Sequence, residues 1–270
     1  GLLLLHASAC LCAGAERSPQ PLPLRTHGRY VVDASGKRAR LHCVNWYGAH
    51  MKQMVMNGLD AAPLEDIAGN VSDLGFNCVR LPYSIEMLSD SAVVPHPRET
   101  LAANRDLQGL TPLQVFDRTV DALTRRGIWI VLNNHVSAAR WCCSLLDGEG
   151  LWYTRGYNET QWLQSLAFMA ARYRANALVV GFDLRNELRP SELGEPLWAS
   201  GSPEEDWAAA ASRGAGVVLA ENSDLLIVVS GLFFSTLLCD LPRRPLHLEP
   251  LLRNRTLYTV HEYRWLNYHF

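Results

Sequence analysis

Apolar runs of strand length alternate with helical segments along this chain, and this alternation limits the possible folds more than any other feature. "IWIVLNNH" (128–135), "LVVGFDL" (178–184) and "DLLIVVSG" (224–231) are nearly continuous apolar runs. Strands that are apolar on both faces belong to a parallel sheet covered by helices. The clearest helix lies in "TPLQVFDRTVDALTRRG". Thr111 is its predicted N-cap, Pro112 takes the first helical position, and Gln114 completes a capping box. Leu113, Phe116, Val120 and Leu123 form the apolar stripe, and Gly127 is the stop. Further helices are expected over 64–74, 161–173 and 203–221. "RYVVDASGKRARLHCVNW" reads as a hairpin turning at Ser35-Gly36, followed by a strand ending near Asn45-Trp46. "FNCVRLP" reads as a short strand ending at Arg80, and 84–110 as a long irregular section. "LYTVHEY" is the last strand.

The choice is then between an open doubly wound sheet and a barrel. No Gly-rich phosphate loop follows the first strand, which disfavours a nucleotide-binding sheet. The strand ends instead carry Asn45, Arg80, His135, Asn186-Glu187 and His261 with Tyr263. Polar groups gathered at the carboxyl ends of many strands are what a (β/α)8 barrel site requires. The expected fold is α/β: a (β/α)8 TIM barrel, incomplete at about six of its eight β/α units, with an N-terminal β-hairpin.

Charge narrows the partners. There are 25 Lys+Arg and 27 Asp+Glu, so the chain offers no electrostatic footprint for nucleic acid. "GLLLLHASACLCAGAE" resembles the end of a secretory signal, with Ala13-Gly14-Ala15 as the cleavage site. Residues 1–15 are therefore expected to be a signal remnant and 16–270 a single barrel domain. The apolar stretch 225–239 is too short to span a membrane and is read as strand, turn and short buried segment. Sequons at Asn70, Asn158 and Asn254 agree with export. Cys43, Cys78, Cys142, Cys143 and Cys239 would remain after cleavage, an odd number that leaves at least one thiol unpaired within the chain. No cofactor is expected. Adjacent Cys142-Cys143 lack the spacing of a zinc knuckle, so no metal site with His135 is expected either; a loop disulfide without a nameable partner fits better.

"HCVNWYG" (42–48), "FNCVRLPYS" (76–84), "VLNNHVS" (131–137), "GFDLRNEL" (181–188) and "TVHEYRW" (259–265) together resemble glycoside hydrolase family 5, the cellulase family. "NNHVSAARWCCS" and "LRNELR" are most similar to its plant and algal branch. The resemblance covers nearly everything after residue 25. It implies a retaining endo-β-glycosidase acting on a β-linked glycan, with Glu187 as general acid/base. Asn186 would bond the sugar 2-hydroxyl, and Arg80 would pair with the nucleophilic carboxylate. His135, His261 and Tyr263 would line the reactive subsite. Asn45, Trp46 and Trp141 are further lining candidates, and Trp152 and Trp265 are tryptophans that either stack on sugar or pack a core.

The resemblance places the second catalytic glutamate on a seventh strand and a stacking Trp on an eighth, so the expected chain is a barrel cut after its sixth strand. Glu262 alternates with His261 and Tyr263 and should face away, while Glu249 precedes the sixth strand and Asp183 lies deep in the fourth. Arg80 has a plainer alternative as a structural ion-pair partner of Asp183. Two other functional classes are a carbohydrate-binding barrel or inactive fragment without catalysis, and a lyase or isomerase using His135 and Glu187 for proton transfer.

Overall fold

The computed structural model describes residues 20–246 and 253–263. Strands β1 (Arg25–His27) and β2 (Tyr30–Val32) form an antiparallel pair. Strands β3 (Cys43–Asn45), β4 (Cys78–Ser84), β5 (Trp129–Val136), β6 (Val179–Asp183), β7 (Leu226–Ser230) and β8 (Thr256–Thr259) form one parallel sheet in the order β3-β4-β5-β6-β7-β8. A doubly wound sheet would reverse direction at a switch point. This order never reverses, and the sheet is six strands of an incomplete (β/α)8 barrel.

Helices α1 (Leu64–Asp73), α3 (Pro112–Thr124), α4 (Glu159–Arg172) and α5 (Trp207–Glu221) cover its outer face, and the short α2 (Pro97–Thr100) lies in the β4–α3 connection. Helix α3 starts as its sequence requires, with Thr111 and Gln114 exchanging the two capping-box bonds. Asn158 and Gln161 make the same exchange at α4. That signal was present in the sequence and places the α4 start at Glu159, two residues before the expected one. Helix α5 starts at Trp207, capped by Asp206, rather than at Pro203.

Two apolar layers result. Leu24, Ala39, Cys78, Trp129, Val131, Val180 and Leu226 pack together on the inner face. Trp162, Trp207, Phe116, Phe182 and their neighbours fill the larger layer between sheet and helices. Leu24 is buried among the inner residues, so the N-terminal segment closes the floor of the barrel. The floor is apolar, and everything polar on the inner face lies above it.

Three expectations need correction. The paired strands turn at Gly28-Arg29, and the expected Ser35-Gly36 turn is a second one, closed by the Val32–Arg38 bridge and by the Asp33 amide on Lys37 O at 2.9 Å. Gly28 takes a left-handed φ of 56°, which suits glycine, so the earlier turn had a signal too. Strand β4 continues past Arg80 to Ser84 and places Arg80 mid-strand. Within the 225–239 run, Phe233 and Leu237 are exposed rather than buried. The proposed signal segment, Glu249 and Trp265 lie outside the described residues.

Candidate active site

Arg80 on β4 and Asp183 on β6 rise from the barrel floor and meet. The Arg80 guanidinium donates to Asp183 Oδ2 at 2.9 Å and forms an ion pair with it at 2.7 Å. Burial raises the Asp183 carboxyl above its ordinary pKa, and Arg80 opposes that shift. Arg80 also donates to Asn45 Oδ1 at 3.2 Å and to Asn186 Oδ1 at 2.9 Å. The structural pairing of Arg80 therefore holds, and the same guanidinium holds the two amides expected at the site.

Glu187 lies in the turn after β6, four residues beyond Asp183. Its φ of 39° is left-handed, a strained setting for a residue with a side chain. Arg189, itself buried, donates to the Glu187 carbonyl at 2.7 Å and holds two ion-pair contacts to Asp147 at 2.7 and 2.6 Å. The turn is thus fixed from behind. In front, Glu187 Oε1 faces His261 Nδ1 at 2.8 Å and accepts a hydrogen bond from the Tyr263 hydroxyl. Burial raises the Glu187 carboxyl pKa, but the bonds from His261 and Tyr263 outweigh it, so the net shift is downward. Glu262 is exposed while His261 and Tyr263 are half-buried, as their alternation requires.

His135, at the end of β5, is held through Nδ1 by Asn133 Oδ1 at 2.7 Å. Its ring lies 4.1 Å from that of His50, centroid to centroid. Burial, reinforced by His50 and Arg80, pushes the His135 pKa well below the ordinary histidine value. Burial and the Arg80 charge push His50 down to about 4. His135 is therefore a neutral imidazole at pH 7 and donates or accepts as its tautomer dictates.

Sequence reasoning missed His50, and also the buried Arg185–Glu149 pair at 2.7 Å. Arg185 ties together Leu151 O, Asn134 Oδ1 and Ser137 Oγ, while Glu149 accepts the amides of Ser137 and Ala138. The partners come from different loops, so no local spacing signals them.

The tryptophans divide. Trp46 is buried, with its indole N–H on Asn57 O at 2.9 Å, and Trp152 is buried on Glu159 Oε2 at 3.0 Å. Both indoles pack within the apolar layer between sheet and helices. Trp141 is 69% exposed and meets the exposed Tyr47 edge-on at 6.4 Å. Cys43 and Cys78, direct partners in the β3–β4 register, form one disulfide, and the neighbours Cys142 and Cys143 form another. Cys239 is free and exposed. His135, Cys142 and Cys143 bring potential ligand atoms within 4.8 Å of one another. A disulfide offers no thiolate, so the trio as it stands is not a metal ligand set.

Residues 32–270 match the family described as "Cellulase (glycosyl hydrolase family 5)". A "Glycosyl hydrolase 5 family protein" from the conifer Chamaecyparis obtusa is 35% identical, over 97% of this chain and 47% of its own length. The "Major extracellular endoglucanase" of Xanthomonas campestris pv. campestris is 38% identical, over 76% of this chain and 40% of its own. The solved catalytic domain of the major endoglucanase from that bacterium superposes with a TM-score of 0.78 at 34% identity, covering 89% of this chain and 68% of the other. The chain spans about half the length of the curated relatives it matches.

Proposed function

The chain belongs to the cellulase family, glycosyl hydrolase family 5, and on that premise we propose that the whole protein is a retaining endo-β-glycosidase with Glu187 as its general acid/base. One observation carries the reading. The Glu187 carboxylate is fixed by His261 and Tyr263 beside Asn186, whose amide is held by Arg80. Glu187 protonates the leaving glycosidic oxygen and then takes a proton from water. Asn186 bonds the sugar 2-hydroxyl, a contact that strengthens as charge develops at the ring.

Asp183, bound to Arg80, sets the position of the guanidinium. The net downward shift at Glu187 suits the base half of the cycle. The acid half needs the opposite shift. Exclusion of water by bound sugar and a second carboxylate about 5–5.5 Å away both push in that direction. The endoglucanase names of two relatives favour a glucan as substrate, and the name of one of them favours an extracellular location. Two disulfides fit an oxidising compartment, and no helix among the described residues is long and apolar enough to cross a membrane.

The test is proton NMR of a cello-oligosaccharide digest. The β-anomer should appear first and mutarotate later, with a rapid fall in the viscosity of soluble cellulose showing internal cleavage. The α-anomer as first product would overturn the retaining assignment, and release of only terminal sugars would overturn endo action.

A further inference from the structure

The Cys142–Cys143 disulfide lies against Asn186. The Asn186 Nδ2 donors face Cys142 Sγ at 3.5 Å and Cys143 Sγ at 3.4 Å, while Oδ1 accepts from Arg80 at 2.9 Å. The planar amide is thus gripped at both ends. Arg80 has only donors, so it fixes which end is oxygen. Bridged sulfurs carry no hydrogen and only accept, so they hold the nitrogen end without competing as donors. They are also weak acceptors, so an incoming sugar hydroxyl recruits the same N–H at small cost.

The surrounding loop is anchored independently of the disulfide. Arg140 N donates to His50 O at 3.0 Å, Ser144 N to Asp147 Oδ2 at 2.8 Å, and Arg189 Nε to Ser144 O at 3.0 Å. Opening the sulfur bridge therefore frees only Trp141 to Cys143. Cys143 is half-buried, within reach of a small reductant.

We propose that the Cys142–Cys143 disulfide is a positioning element for Asn186, and that its reduction loosens the 2-hydroxyl contact and slows glycoside cleavage. The proposal rests on the reading of Asn186 given above. Reduction by a water-soluble phosphine balances simply. Phosphorus attacks one sulfur and the S–S bond breaks. Water then supplies the oxygen of the phosphine oxide and the protons, leaving two thiols. Each thiol turns freely about its own Cβ–S bond and carries a hydrogen, so the nitrogen end of the amide loses its fixed acceptor.

The test uses the whole protein in three forms: oxidised, phosphine-reduced, and Cys142→Ser/Cys143→Ser. The double variant leaves Cys43–Cys78 intact, so agreement between the last two forms isolates the adjacent pair. Each form is assayed on an aryl β-cellobioside and on its analogue lacking the 2-hydroxyl of the ring that carries the aryl group. The expected result is a fall in kcat/KM of about fivefold to tenfold on the parent glycoside, the worth of one hydrogen bond, and less than twofold on the analogue. Asn186→Ala should abolish the difference between oxidised and reduced protein, because coupled groups are non-additive. Equal losses on both glycosides, or no loss on either, would overturn the proposal while leaving the glycosidase reading standing. Oxidised protein that neither cleaves the parent glycoside nor binds cellotetraose would overturn the glycosidase reading itself, and the positioning role with it.

Discussion

At the residue scale, His50 shows how one buried side chain sets a pH dependence. Its folded pKa is depressed to about 4 from an ordinary 6.5, first by burial and then by Arg80. Above pH 6.5 neither folded nor unfolded chain protonates it, and its contribution to stability is complete. Between 6.5 and about 4 the unfolded chain takes up a proton that the fold refuses, so stability falls with pH. Below about 4 this group causes no further loss. The span of the shift corresponds to about 3 kcal/mol. Chemical denaturation at steps from pH 7 to 4 should show this decline in the native protein and a flatter profile in His50→Gln. Parallel profiles would mean that His50 is solvated in the fold. Nothing local in "WYGAHMK" announces this role. His50 matters because β5 brings His135 against it and β4 brings Arg80, and those are tertiary facts. The gathering of Glu187 and Asn186 with Arg80, His261 and Tyr263 was legible, because polar groups were expected near the ends of several neighbouring strands. The burial of Trp46 was not legible, because a tryptophan at a strand exit can turn either way and its indole partner, the carbonyl of Asn57, is a tertiary contact.

At the scale of elements, the turn after β6 depends on the loop between β5 and α4. Arg189 reaches from the turn to Asp147 in that loop, and both side chains are largely buried. Removing one partner of such a pair leaves the other uncompensated, at a cost of about 3–5 kcal/mol. Asp147→Ala should lower stability by about that amount in urea titration, and it should also lower activity, because Arg189 would no longer be fixed under the Glu187 carbonyl. A variant as stable as the parent would show that the pair is solvated. Helix starts were readable wherever a capping box was spelled out, as at Thr111. Strand ends were less readable. The β4 continuation through Leu81, Pro82 and Tyr83 is buried by its pairing with β5, a contact that the short sequence window does not contain. The Arg189–Asp147 and Arg185–Glu149 pairs bridge 42 and 36 residues respectively, beyond any periodicity.

For the whole molecule, the unbroken strand order and the apolar floor under Leu24 make the C-terminal rim of the barrel the only inner surface with clustered polar groups among the described residues. The alternation of apolar runs and helices anticipated a helix-covered parallel sheet, and the polar groups expected at several strand ends chose the barrel over the doubly wound sheet. The disulfide partners were not anticipated, because the pairing of Cys43 with Cys78 follows from strand register alone. Export, proposed above for the whole molecule, has its own test: mass spectrometry of secreted protein should find the mature terminus at or near Glu16, and material still reading from Leu2 would refute cleavage at Ala15. The central claim concerns Glu187, and Glu187→Gln tests it most directly. The amide keeps the size of the side chain but cannot donate the proton. Turnover of the whole protein on unactivated cello-oligosaccharides should fall about 10²–10⁴-fold. On a glycoside with an activated aryl leaving group the first step should be spared and the glycosyl-enzyme should accumulate. Azide, a nucleophile needing no base, should then restore turnover and yield a β-glycosyl azide. Equal loss on both substrates with no azide product would contradict the assignment of Glu187 as acid/base.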